Sequence, residues 1–175
     1  MKQVALLLLV AFSFSSCSNQ TPAQQAQSAA AGIWAAQVQG GTGTASGFSF
    51  TTEFTINAGG DLNITYFQFL NTTGCFPVDG GNEQGRMVLN SVNPSTGQTS
   101  GTFTYTVKNT ANNNNLALNG TVTGTEVNGV PPLSAGLITG TWALKGTSEC
   151  TASNGTFTMT QGSSTSTSSS GSSGT

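Results

Sequence analysis

The sequence predicts an all-β protein, an up-and-down barrel of about eight antiparallel strands. Three observations predict it. Apolar and polar residues alternate with period two through most of the chain. No window shows the three-to-four spacing of an amphipathic helix. The alternating runs are separated by short connections rich in Gly, Asn and Pro. Period two places one strand face in a core and the other in water, and short links pair neighbouring strands antiparallel.

The strands are expected at 33–39, 47–56, 62–70, 85–92, 100–108, 115–123, 136–145 and 154–160. In the second, Phe48, Phe50, Phe54 and Ile56 share a parity opposite Ser49, Thr51, Glu53 and Thr55. Leu62, Ile64 and Tyr66 continue this pattern in the third, after the turn Asn57-Ala58-Gly59-Gly60-Asp61. Phe103, Tyr105 and Val107 alternate with Thr102, Thr104 and Thr106. Ile138, Trp142 and Leu144 share one parity late in the chain, and Phe157 and Met159 another. The threonine-rich outer faces add strand propensity. A meander of this length removes its edges by closing on itself, and a β-sandwich with Greek-key crossings is the alternative.

Cys75 and Cys150 test this topology. In an up-and-down meander, alternate connections lie at the same end. Cys75 falls in the third connection and Cys150 in the seventh, so both belong to one end. Closure brings strand eight beside strand one, so the two loops come within reach of a disulfide, which needs Cα atoms roughly 4.4–6.8 Å apart. A pair of free buried thiols is the alternative.

Outside the barrel, expected at 32–160, the chain changes character. Residues 1–16 combine Lys2 with an apolar run, Val4 to Phe14, too short to cross a bilayer. Phe14-Ser15-Ser16-Cys17 resembles the lipobox that ends bacterial lipoprotein signal peptides, with Phe where Leu is usual. The resemblance implies a diacylglyceryl group on the Cys17 thiol, cleavage before it, and acylation of the new amine by a chain such as palmitate. Three acyl chains anchor firmly where one is marginal. Ser18 rather than Asp after the cysteine implies the outer membrane of the cell envelope. An ordinary secretory signal or a cytoplasmic chain with an apolar start is the alternative. Residues 17–31 then read as a flexible tether, because Ser18–Ala31 holds no large apolar residue to bury. Residues 161–175, almost wholly Ser, Thr and Gly, read as a disordered tail.

Composition narrows the function. Charged residues are 6% of 175 residues, the formal net charge is −2, and there is no histidine. The four basic residues, Lys2, Arg86, Lys108 and Lys145, form no stripe for nucleic acid. Without histidine, neither a Ser-His-Asp triad nor a usual zinc site is available, so neither enzyme nor metal or other cofactor is expected. Asp79 and Glu83 share one connection but read as solvated loop carboxylates. Gly40-Gly41-Thr42-Gly43 lacks the following helix that a phosphate loop requires.

Binding remains. Gly32-Ile33-Trp34 at the first strand resembles the Gly-x-Trp start of the lipocalins, members of the calycin-type meander barrels. Lipocalins also carry a late basic residue that packs on this Trp, and here no Lys or Arg follows Lys145. The resemblance implies a small apolar ligand in the barrel mouth, with Trp34, Tyr66, Tyr105 and Trp142 as its lining. The competing expectation is a non-enzymatic structural or adhesion protein with a filled barrel. It would contact a partner or glycan through its surface and expose aromatics such as Phe67, Phe69 or Phe76.

Overall fold

A computed structural model describes residues 20–41, 47–71, 75–148 and 150–162. Cys17, the signal-like segment and most of the Ser/Gly/Thr tail lie outside the described residues. Eight antiparallel strands form one sheet: β1 (Gly32–Gly40), β2 (Ser49–Ile56), β3 (Leu62–Asn71), β4 (Asn82–Leu89), β5 (Gln98–Asn109), β6 (Asn114–Thr125), β7 (Ser134–Leu144) and β8 (Ser153–Gln161). Their order is β3-β2-β1-β8-β7-β6-β5-β4, an up-and-down meander closed through the β1–β8 pair. Its two ends, β3 and β4, meet only at a seam. There Asp61 and Arg86 form an isolated bridge, joined by a 3.0 Å ion pair. The barrel is thus nearly closed, as the alternation implies.

Seven of the strands begin and end within two residues of the expected limits. The exception is β4, which starts at Asn82 rather than 85. Its first half, Asn82-Glu83-Gln84, is polar and hides the strand from a hydrophobicity reading; only pairing with β5, Asn82 opposite Lys108, reveals it.

The interior is built from rings and glycines. Trp34, Phe50, Phe54, Phe103, Tyr105, Trp142 and Phe157 are almost wholly buried. Phe50, Phe67 and Phe103 all lie against Tyr105, at ring-centroid distances of 6.1, 6.1 and 5.9 Å. Phe48 joins Phe69 to Trp142 edge-on at 5.9 and 5.3 Å. Room for these rings comes from glycines on the inward parity. A Cβ on Gly155 would stand 2.7 Å from Trp142 Nε1, and one on Gly120 3.0 Å from the Phe157 ring. Small-against-large alternation of this kind fits side chains to a narrow barrel.

Two departures from the expected pattern have local causes. Tyr66 does not follow Leu62 and Ile64 inward. Glu53 pairs with Tyr66 and Phe54 with Ile64, so Thr65 is an extra, bulged residue. A bulge inserts one residue without a partner and so reverses the faces beyond it. Phe67 and Phe69 point inward as a result, and Tyr66 is 45% exposed.

The second departure is a helix. Pro22–Ala30, expected as coil, is α1. Thr21 caps it in a capping box with Gln24, and Pro22 takes the first helical position. The helix needs no large apolar side chain, because Ala26, Ala29 and Ala30 are fully buried where it lies across the end of the barrel against β2 and β4. Alanine lets the helix backbone approach closely. Its last carbonyls, which no helix satisfies internally, are taken up by the barrel. Trp34 Nε1 donates to Ala30 O at 3.0 Å, and Gln161 Nε2 donates to Ala29 O and Ala31 O at 2.9 Å each. Gln161, expected in the tail, is therefore the last residue of β8 and a clamp on α1.

The helix covers one end together with the β2–β3, β4–β5 and β6–β7 turns. The other end carries the β3–β4 and β7–β8 loops, and there Cys75 and Cys150 form a disulfide with Cα atoms 5.4 Å apart. The bond fastens a loop beside the seam to the opposite part of the barrel, across a sequence separation of 75. Replacing both cysteines by alanine is expected to lower unfolding free energy by about 4 kcal/mol on the loop-entropy scale. Urea denaturation of the Cys75→Ala/Cys150→Ala variant measures this, and reduction of the parent protein should reproduce the same loss.

Candidate functional site

The four aromatics expected to line a ligand mouth do not come together. Trp34 lies at the helix end, stacked on Phe54 at 6.3 Å. Trp142 packs on Phe48 and donates through Nε1 to Gln39 O at 2.9 Å. Tyr105 is buried mid-barrel. Tyr66 sits on the outer face and hydrogen-bonds Gln68. The three interior rings thus hold their polar handles against protein atoms. Phe67, Phe69 and Phe76, expected outside in the competing reading, are buried in the same cluster.

Tyr105 also anchors a polar contact in the interior. Its hydroxyl lies 2.9 Å from Thr52 Oγ1, which is fully buried and also reaches Tyr66 O at 3.1 Å. Burial pushes the Tyr105 pKa well above the usual phenol range. The Thr52 hydrogen bond opposes this, and the Glu83 carboxylate adds to it. Glu83 itself is raised by desolvation, against the lowering effect of the Gly81 N–H that donates to it at 2.7 Å. Asp79 and Glu83 form no larger cluster: among the described residues no group of three His, Cys, Asp or Glu side chains is placed to hold a metal ion.

Three concavities among the described residues lie on the outer face. One, of about 300 Å³, runs between α1 and the β2–β3 turn and is lined by Gln20, Gln24, Gln27 and Ser28. A second, of about 460 Å³, crosses β5, β6 and β7 near the helix end and is lined chiefly by hydroxyls, including Ser91, Thr99, Thr123 and Ser134. A third, of about 490 Å³, crosses β4 to β7 near the disulfide end. Register builds this third groove. Asn82 pairs with Lys108, Lys108 with Asn115, and the Lys145 N–H donates to Asn115 O at 2.9 Å. The result is a cross-strand row Asn82–Lys108–Asn115–Lys145, with Gln84 and Thr106 in the row beside it.

The turn above the row is fastened from within. Asn109 Nδ2 and Asn112 Nδ2 donate to Cys75 O at 3.2 and 3.5 Å. Asn114 Oδ1 accepts from Asn115 N and Gly146 N at 2.9 and 3.2 Å. The amides of the Asn-rich turn, expected only as loop chemistry, thus tie the groove to the disulfide loop. The groove was not legible as a site, because its residues are scattered over four strands and only register aligns them.

No protein-family model, curated protein sequence or solved structure matches this chain.

The Tyr105 environment gives a pH test. A phenol pKa raised on folding leaves stability intact below about pH 10, where the unfolded tyrosine ionises, and removes it as pH rises towards the folded value. Tyr105→Phe should cost about 1 kcal/mol at pH 7, from the lost hydrogen bond. It should also remove this residue's share of the alkaline loss. Denaturation midpoints of parent and variant should therefore converge between pH 9 and about pH 11; parallel curves would contradict this account.

Proposed function

We propose that the protein is a non-enzymatic, lipid-anchored envelope protein that works through the outer face of a packed barrel. The observation that carries this reading is where the aromatics lie. Trp34, Tyr105 and Trp142 are engaged by neighbouring rings and backbone groups in the interior. The described grooves, in contrast, open on the outside and carry hydroxyls and amides in their lining, with Lys108 and Lys145 in one and Ala31, Ile56 and Ala58 in another. That distribution supports surface contacts with a partner or glycan over an apolar ligand held in the barrel.

The lipid anchor is supported by the lipobox-like Phe14-Ser15-Ser16-Cys17. Geometry is consistent with it. The first described residues and the end of β8 lie at the helix-covered end, and the third groove lies near the other. Because α1 begins at Pro22, the chain between Cys17 and the helix reaches at most about 17 Å when extended. An anchor at Cys17 holds the helix end close to the lipid and directs the disulfide end away from it. The oxidising envelope also suits a structural disulfide.

Three measurements test this. Mass spectrometry of protein extracted from membranes should give a mature chain beginning at acylated Cys17, and Cys17→Ser should move the protein out of the membrane fraction. A thermal-shift series with fatty acids should leave the melting temperature unchanged. A saturable rise with a fatty acid would restore the apolar-ligand reading.

A further inference from the structure

We infer that the groove across β4–β7 at the disulfide end binds an anionic polysaccharide. In this assignment Lys108 and Lys145 contact its acidic groups, and Asn82, Gln84, Thr106 and Asn115 hydrogen-bond its hydroxyls. The inference rests on the reading that the outer face is the working surface and names what that surface takes.

Charge is the first argument. The chain is acidic overall, with a formal net charge of −2. The described cations are Arg86, Lys108 and Lys145, and Arg86 is paired with Asp61 at the seam. The other two line one groove, and neither makes an ion pair with a described residue. Glu83 on β4 accepts from the Gly81 N–H at the barrel rim and forms no ion pair with either lysine. Among the described residues, the positive charge without an ion-pair partner thus lies at one concave place.

Spacing is the second. Lys108 on β5 and Lys145 at the end of β7 flank Asn115 on β6, so their backbones stand two strand spacings apart, about 10 Å. That separation suits acidic groups repeated along a sugar chain. Between and beside the lysines stand amides and a hydroxyl that both donate and accept, as sugar hydroxyls require.

The lining argues against other occupants. A protein partner takes much of its affinity from buried aromatic or aliphatic anchors at the centre of the contact, and the described residues lining this groove include none. Single-stranded nucleic acid stacks its bases on aromatic side chains, and none is in the lining. The position also fits. The groove opens near the end opposite α1, the end that faces outward when Cys17 is anchored.

The test uses the full chain extracted from membranes in mild detergent, titrated calorimetrically with alginate oligosaccharides, heparin oligosaccharides and neutral dextran oligosaccharides. Saturable binding to alginate or heparin, absent with dextran and weakened by added salt, is expected. Lys108→Gln/Lys145→Gln should lower the affinity about ten-fold or more. Arg86→Gln, which removes one positive charge at the seam, should leave it unchanged. All three side chains project from the surface, and far-UV circular dichroism checks that each variant is folded. No binding to either anionic oligosaccharide overturns the assignment, as does binding that survives the double substitution or falls equally with Arg86→Gln. The same preparation is analysed for acylation of Cys17. Lipid present without anionic binding overturns the groove alone, while lysine-dependent binding by an unlipidated chain upholds the groove and overturns the anchor.

Discussion

The structure depends on fitting aromatic rings into a narrow barrel. An eight-stranded barrel has an interior that side chains can fill or that can hold one small ligand, and this chain places two tryptophans, a tyrosine and several phenylalanines there. The fit is possible because Gly120, Gly140 and Gly155 occupy inward positions on three adjacent strands. At Gly140 a Cβ would stand 2.1 Å from Asn119 O, so even alanine requires the backbone to move. Packing of this density turns the barrel into a rigid support and leaves its interior aromatics engaged with one another.

The ends of the barrel are closed by different means, and each has a physical logic. At one end α1 contributes alanines, which bury little area per residue but permit close approach. Three polar groups from the barrel, the Trp34 indole and both Gln161 amide hydrogens, satisfy the carbonyls that such a short helix leaves open. At the other end a covalent bond adds to burial as the fastening: the cysteines are buried, and so is Phe76 from the same loop. The carbonyl of Cys75 also receives Asn109 and Asn112, so the disulfide loop and the β5–β6 turn form one unit. The seam between β3 and β4 lies between these two fastenings, bridged by Arg86 and Asp61. Such an exposed pair contributes little by itself; closure relies on the ends.

Low charge shapes how the surface can act. With hydroxyls and amides supplying solubility, a pair of lysines is enough to give one groove a distinct electrostatic character. In an ordinary domain, where about a quarter of residues are charged, the same pair would be lost among its neighbours. The row Asn82–Lys108–Asn115–Lys145 exists only because four strands hold a fixed register.

By itself the sequence determined the strands, their antiparallel order and most of their faces, because period two is a local property of the chain. It also determined that Cys75 and Cys150 share an end, because connection parity needs only a count. The capping signal Thr21-Pro22-Ala23-Gln24 was present too, but a helix built on alanines has no apolar stripe to announce it. Only the tertiary structure decided which way Tyr66 points: the apolar parity shifts from Leu62 and Ile64 to Phe67 and Phe69, but pairing with β2 fixes where the bulge falls. It alone seated α1, recruited Gln161 from the apparent tail, and aligned Lys108 with Lys145. Each of these depends on which residues face one another across strands, and cross-strand register is set by the closed barrel as a whole.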